Sequence, residues 1–577
     1  MINKKRIVAI ILLVCLMLTA CGKGAQGGAD AAGNSGSASN PDAAGEEILP
    51  VEVTVSDTPD LRPRVDAISY RMSLELDTKK DLLSETVTMT IKNNTDSDVA
   101  EVVIKNMAAG AIAYAKENYD SKVNQALTSN IYGIYAGAPS ETVAVAPENA
   151  LEYRYTDDDK SIIIATLGSP LKPDETTELT VVMDTKIPYR QDRFAVQKSR
   201  HGKEYTISFC FPYLADNEQV DANEFMANGA IRKTLIENIA WDTALFFDDG
   251  ESRSADLADY DVDFVVPSDY EVAAVGASKR EDAADTADAA DTADAADTAT
   301  YSIKATNVRD FAIVACNHME KETFDVNGVT VNSYYLTGGN ETDEYRKICN
   351  LSTEESIKLF TEKIGPYPYE ELDVVECLFG FAFGGMEYPG LVMINGNSFF
   401  EGMGAEFGAQ PLVDVVSHEI GHQWFYSAVG NNEYREGWID EAFATYAERE
   451  LFNMADNETN AYLRELDKDI LSFDEIQADR ADYLKYFKQE FDNYYINIAP
   501  DEYDRDRSYG EGEYEAGFLF LVELKQLWGE ARFDEFIKTY YASYAGHIAE
   551  TKDIVALIRA FDVNGAAEDT IKYFIKE

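Results

Sequence analysis

His418-Glu419-Ile420-Gly421-His422 sets two imidazoles four residues apart, with a carboxylate beside the first. On a helix, positions i and i+4 share a face at about 6 Å, so both rings can turn toward one ion. Glu419 is then placed to take a proton from an attacking water without ligating the ion. With five His in 577 residues, this pattern arises by chance on the order of once in a few hundred such chains. With eighteen residues intervening after His422 comes Glu441, inside Trp438-Ile439-Asp440-Glu441-Ala442-Phe443-Ala444, and Ala442, Tyr446 and Arg449 continue a helical register. Two imidazoles and a carboxylate from a second helix leave a fourth tetrahedral position to water. Such a donor set is that of a catalytic zinc site, with one Zn²⁺ per chain as the expected cofactor.

The elements that must position these groups are legible on either side. Leu412, Val415 and Val416 support a helix through the HExxH segment, packed by the face that the ion does not use. From about Leu61 to Ala315 the dominant period is two, as in Tyr70 to Leu76 and Glu85 to Ile91. Further strands are expected at Val102 to Ile104, Ser161 to Thr166, Leu179 to Met183, Thr206 to Phe211, Val262 to Val266 and Phe311 to Val314. After about His318 the period becomes helical. Ser352-Thr353-Glu354-Glu355 has the form of a capping box that opens a helix through Ile357, Phe360 and Ile364 to Gly365-Pro366. Strands at Leu372 to Leu378 and Leu391 to Ile394 follow, and from Pro411 the pattern is mainly helical. The fold expected is multidomain α+β: a β-rich domain over 61–317, then an α-rich domain with a small sheet over 318–577.

Lys4, Lys5 and Arg6 precede an apolar run from Ile7 to Leu18, the layout of a secretory signal too short to span a bilayer. The run closes in Leu18-Thr19-Ala20-Cys21-Gly22, which looks like a bacterial lipobox: residues 1–20 would be removed and Cys21 would carry the lipid. Residues 21–60, rich in Gly, Ala, Ser and Asn, read as a flexible tether. The expectation is an extracytoplasmic, membrane-anchored lipoprotein. A second low-complexity stretch, 281–300, repeats Asp-Ala-Ala-Asp-Thr-Ala and reads as a solvated insertion in a surface hairpin. Fifty Lys+Arg against 104 Asp+Glu give a net charge of −54, which repels a phosphate backbone and excludes nucleic acid as a partner. No cysteine falls in a CxxC or CxxH pair, and the sequence sets neither the pairing of Cys210, Cys316, Cys349 and Cys377 nor the oligomeric state.

HExxH, eighteen residues and then Glu in a WxxEAFA-like segment resembles the aminopeptidase N-like family of zinc metallopeptidases, the gluzincins. Gly384-Gly385-Met386-Glu387-Tyr388-Pro389 is similar to that family's GxMEN segment. The resemblance implies that Gly384, Gly385 and Met386 line the substrate cleft and that Glu387 binds the free α-amine. Glu513-Tyr514-Glu515-Ala516-Gly517 resembles its YxKG segment, whose tyrosine, here Tyr514, stabilises the tetrahedral intermediate. The likeness covers about 320 to 530. It implies a saddle-shaped β-domain ending in Val308-Arg309-Asp310-Phe311-Ala312, followed by a thermolysin-like zinc peptidase domain. Two departures stand out, Tyr388 where the family has Asn and Ala516 where it has Lys. Residues after about 530 are too few for the large helical C-terminal domain of the bigger members, so a more open cleft is expected.

The implied function is a zinc metallopeptidase that releases N-terminal residues from peptide substrates, with His418, His422 and Glu441 on the metal, Glu419 as general base and Tyr514 as oxyanion donor. The alternatives are a zinc endopeptidase or other amide hydrolase, and, from another class, a surface adhesion lipoprotein with a vestigial metal site. Tyr503 and Tyr509 compete with Tyr514 for the oxyanion role, while His201, His318 and His547 read as surface or satisfied histidines. No pattern singles out Arg507 or Arg532 to meet a substrate carboxylate.

Overall fold

The computed structural model describes residues 63–118, 126–137, 149–190, 192–223, 225, 232–246, 257–282, 298–338, 343–380, 384–396, 409–466, 483–491, 493–503 and 508–576. The signal segment, Cys21, the tether, the core of the acidic repeat (283–297) and Arg507 lie outside the described residues.

The period-two runs become strands whose sides alternate between core and solvent. Along Val65–Asp77, Tyr70, Met72, Leu74 and Leu76 are buried while Arg71, Ser73 and Glu75 are exposed. That strand pairs with Leu82–Asn93 antiparallel and with Ala258–Pro267 parallel, inside a seven-stranded sheet that also holds Ser129–Ala136, Thr176–Lys186, Ala277–Asp282 and Thr298–Val308. Asp282 faces Ala299 across an antiparallel pair, so the described ends of the acidic stretch belong to two hydrogen-bonded strands. Smaller sheets complete the β-rich half over one apolar core. A helix the period-two reading misses, Met107–Asn118, sits among these strands.

The α-rich half is built on a five-stranded sheet in the order Met319–Val326, Val329–Leu336, Glu371–Cys377, Leu391–Asn395, Gly385–Met386. Its three inner strands run parallel and are buried almost throughout, as strands covered on both faces must be, with Asn332, Ser333, Asp373 and Glu376 buried among their apolar residues. Gly385–Met386 closes one edge antiparallel, through Gly385 opposite Ile394 and Met386 opposite Met393. Helices pack over this sheet around a second core. Among the described residues no helix is long and apolar enough to cross a membrane.

Several expected boundaries are corrected. The helix read from a capping box at Ser352 begins nine residues earlier, as Asp343–Lys363. Tyr345, Ile348 and Cys349 extend its buried stripe backward, and Thr353, far from capping anything, donates to the Cys349 carbonyl over 2.8 Å inside the helix. The strand expected at Thr206 to Phe211 is Lys203–Ile207, broken where Phe209 adopts a left-handed φ of 56° that no strand accommodates. The strand expected at Phe311 to Val314 is shifted to Ile313–Cys316, and that at Ser161 to Thr166 runs on as Ile162–Leu171. Arg449 leaves the α-helical register, because the helix Trp438–Tyr446 passes into a π-helical turn, Ala447–Phe452. Cys210, Cys316, Cys349 and Cys377 are all buried.

Candidate active site

The HExxH segment ends a helix, Gln410–Gly421, whose first turn carries Pro411, a residue suited to a position with no hydrogen-bond duty for its nitrogen. His418 lies in its last turn and His422 just beyond, and the two rings meet edge to face with centroids 4.7 Å apart. Trp438–Tyr446 crosses beneath and delivers Glu441. Gly421 and Gly517 permit the crossings: a β-carbon on Gly421 would stand 3.3 Å from Ala447, and one on Gly517 would collide with Ala442 at 2.6 Å.

The three expected ligands converge. One atom from each of His418, His422 and Glu441 lies within 4.8 Å of the others. His418 Nε2 is 3.1 Å from His422 Nε2 and 3.1 Å from Glu441 Oε2, and His422 Nε2 is 3.4 Å from the same oxygen. The outer nitrogens decide what these contacts mean. His422 Nδ1 stands 3.1 Å from the Phe425 carbonyl, which can only accept, so Nδ1 carries the proton and Nε2 presents a lone pair. His418 Nδ1 faces the Glu448 carboxylate at 3.2 Å in the same sense. Two lone pairs and a carboxylate oxygen thus point at one another, an arrangement that a divalent cation reconciles. The donor set fits zinc, and both histidines already have the outer partners that fix a ligating tautomer.

The electrostatics agree. Burial works to lower the His418 imidazole, but the Glu441 and Glu448 carboxylates outweigh it and hold it well above its ordinary range. Burial works to raise Glu441, yet the two histidines hold it at about 2. The attraction that draws a proton to this point draws a cation equally. Glu419 is pushed well above the usual carboxylate range by burial and by Glu387 nearby, and Glu387 is itself raised by burial against the pull of His422. Asp440 is raised by burial and by Glu441.

Of the segment expected to line the cleft, Gly384 and Gly385 serve by having no side chain. A β-carbon on Gly385 would stand 2.5 Å from Glu419 Oε1, and one on Gly384 2.9 Å from Val415, so glycine lets the edge strand lie against the HExxH helix. Met386, the second residue of this strand, is buried. Gln423 ties strand to helix: its Nε2 donates to the Glu387 and Tyr388 carbonyls at 3.3 and 3.2 Å, and its Oε1 accepts from the Gly390 amide at 2.7 Å. Tyr388, the departure from the resembled motif, turns away from the metal ligands, and its hydroxyl bonds Ser208 Oγ of the β-rich half at 2.5 Å. Ser208 Oγ in turn donates to the Arg193 carbonyl over 2.7 Å, and the Arg193 guanidinium is near enough to temper the rise of Glu387.

Tyr514 arrives on a second π-helical turn, Glu511–Ala516. Its ring stacks on His418 with centroids 5.7 Å apart, and its hydroxyl donates to Glu441 Oε1. Burial and Glu441 push the phenol well above its ordinary range, so it remains a donor. Tyr503 bonds Glu513 at 3.0 Å instead, and Tyr509 meets Tyr514 only edge-on at 6.3 Å. Sequence reasoning missed Glu448, Gln423, Arg193 and the Phe425 carbonyl. Glu448, seven residues after Glu441, could have been found by helical register.

The fold and the site define a two-domain metallopeptidase architecture, a β-rich half ahead of an α-rich half that carries a His₂Glu metal set. Residues 351–577 match the Peptidase family M1 domain. Among solved structures the chain is similar to the crystal structure of an M1 zinc metallopeptidase from Deinococcus radiodurans, with TM-score 0.57 and 17% identity, covering 89% of this chain and 94% of that one. A two-domain M1 zinc metallopeptidase mutant bound to L-tryptophan gives TM-score 0.55 at 17% identity, covering 89% and 96%. Among curated proteins it is similar to leucine aminopeptidase 2 of Emericella nidulans, 25% identical over 229 residues, 40% of this chain and 35% of that protein. It is also similar to human aminopeptidase B, 29% identical over 204 residues, 34% and 28% of the two chains. The matched segment spans about a third of the length of these curated relatives.

Proposed function

We propose that the protein is a zinc-dependent aminopeptidase that removes N-terminal residues from peptides outside the cytoplasm. The observation that carries this reading is the set of three acceptor atoms on His418, His422 and Glu441 within 4.8 Å, beside a general base of raised proton affinity. His418, His422 and Glu441 would hold the zinc, which when bound supplies Lewis acidity toward a carbonyl and lowers the pKa of water to about 7. Glu419 takes the proton from the attacking water and passes it to the leaving amine, a role favoured by a carboxyl whose proton affinity is raised by burial and by Glu387. Tyr514 turns its hydroxyl from Glu441 to the developing oxyanion, a single donor of the kind worth about 3 kcal/mol. Glu387, buried close to Glu419 and the ligands, receives the free α-amine by a charge-assisted hydrogen bond and so selects chain ends. The relatives' names as aminopeptidases support the same reading.

The test compares a fluorogenic aminoacyl amide and an unblocked peptide with its N-acetylated form, with and without chelator. Cleavage confined to free amines and abolished by chelation is expected, and Glu419→Gln should retain zinc while losing about 10²- to 10⁴-fold in rate. Undiminished cleavage of the acetylated peptide would replace the aminopeptidase with an endopeptidase. For the membrane, the lipobox-like Leu18 to Gly22 supports anchoring through Cys21, and Cys21→Ala should then move the protein from the membrane to the soluble fraction. Retention of that variant in the membrane would overturn the anchor.

A further inference from the structure

Glu448 uses both its oxygens. Oε2 faces His418 Nδ1 at 3.2 Å, and Oε1 stands 3.5 Å from Arg449 Nε. Arg449 reaches on, its Nη1 donating to Glu515 Oε2 over 2.7 Å, with its guanidinium over the Phe518 ring at 5.2 Å. Glu515 is the immediate neighbour of Tyr514, whose hydroxyl bonds Glu441, whose other oxygen is 3.1 Å from His418 Nε2. The contacts close a circuit from one metal ligand, through two π-helical turns, back to the same ligand. Each turn carries one end of the Arg449–Glu515 pair.

We propose that the Arg449–Glu515 ion pair is a strut that sets the Tyr514 hydroxyl against the metal ligands, making Arg449 and Glu515 positioning residues for the reaction. This rests on the aminopeptidase reading, in which the Tyr514 hydroxyl must change partner from Glu441 to substrate while its backbone stays in place. π-Helical turns deserve such bracing. Their wider hydrogen-bond ring is a poorer fit than the α-helix, and they occur singly where a side chain must be re-aimed. The pair is sheltered enough to hold its geometry, with side chains 18% and 13% exposed. The first turn is also tied to the helix that follows the second, Gly517–Trp528, by Lys525 Nζ to Glu450 Oε2 at 3.0 Å. That pair ties the segments without touching Glu448 or Glu515, so it serves as an internal control.

The experiment uses the full zinc-loaded chain and compares Arg449→Met, Glu515→Gln, their double variant, and Glu450→Gln. Either strut variant should lower kcat about 10- to 100-fold, the usual cost of losing an outer partner, with KM within about twofold. The double variant should be no worse than the weaker single, since the two groups act as one unit. Arg449→Lys should recover part of the loss, and Glu450→Gln should keep the parent kcat while losing only thermal stability. Cobalt(II) substitution gives a readout independent of turnover: both strut variants should shift the visible d–d bands and Glu450→Gln should not. Unchanged kcat and spectrum in Glu515→Gln, an isosteric change that keeps the fold if Arg449→Met does not, would overturn the strut. So would losses that multiply in the double variant or that Glu450→Gln matches. A parent protein that cleaves no free-amine substrate would instead overturn the aminopeptidase reading, with the cobalt spectra still deciding the strut.

Discussion

Where the two halves meet, Lys105 Nζ donates to Asp242 Oδ2 over 2.9 Å with both side chains almost fully buried, and Arg435 of the α-rich half approaches Oδ1 at 3.6 Å. Burial there works to lower the lysine and to raise the aspartate, and each partner outweighs it for the other. Around the HExxH helix the balance is different. Glu387, Glu419, Asp440 and Glu441 crowd about two imidazoles, and all but Glu441 are pushed upward. The first cluster is closed by its own side chains and needs nothing more. The second leaves negative charge in excess at one point, which a bound divalent cation offsets. A buried charge balanced locally is architecture; one balanced only by an added ion is a site. The β-rich half shows a third solution in Glu85, where burial pushes the carboxyl up to about 8 and it stays neutral instead of pairing.

The contrast can be broken most sharply at the closed cluster. Lys105→Met leaves Asp242 with Arg435 alone and should cost about 3 kcal/mol in urea unfolding, because a buried charge has lost its nearest partner. Zinc affinity should not change; a variant that bound zinc less tightly would show the two clusters to be one network. Next, zinc at a hundredfold excess over its Kd should stabilise the metal-free protein by about 2.7 kcal/mol, read as a rise in Tm, and His422→Ala should abolish most of that rise. An equal rise in both proteins would move the ion away from this site. A third test concerns Glu85. Its folded pKa lies above the unfolded value of 4.5, so the native state binds the extra proton and stability falls as pH rises from about 4.5 toward about 8. Glu85→Gln should therefore match the parent below pH 4.5 and exceed it by a margin that grows as pH rises toward about 8. A difference independent of pH would mean that this carboxyl is already ionised in the folded chain.

A site can be read from the chain where one element supplies the geometry. Two histidines four apart share a helix face wherever that helix goes, so His418, His422 and the adjacent Glu419 were legible before any fold was known. Glu448 belongs to the same kind of signal, two turns beyond Glu441. Gln423 and Arg193 do not, since what makes them matter is a strand and a β-rich segment that arrive from far along the chain. The Phe425 carbonyl is beyond any side-chain pattern: it meets His422 Nδ1 because the chain reverses after the helix, with Tyr426 at a φ of 116°. The capping-box reading failed for the opposite reason. A Ser-Thr-Glu-Glu run satisfies a local rule, but packing of Tyr345, Ile348 and Cys349 into the core extended the helix past it.

What the order of residues determined by itself was the kind of chemistry: a ligand pair, its base and the alternation of each strand follow from spacing, since helical and extended backbones repeat every 3.6 and two residues. Only the folded chain decided that Glu441 reaches the same point as the histidines, that the Phe425 carbonyl and Glu448 hold the tautomers a metal requires, and that Gly384 and Gly385 let an edge strand lie against the base. Those outcomes depend on long-range packing, in which groups tens to hundreds of residues apart are brought within a few ångströms by burying apolar surface, and no local period encodes that distance.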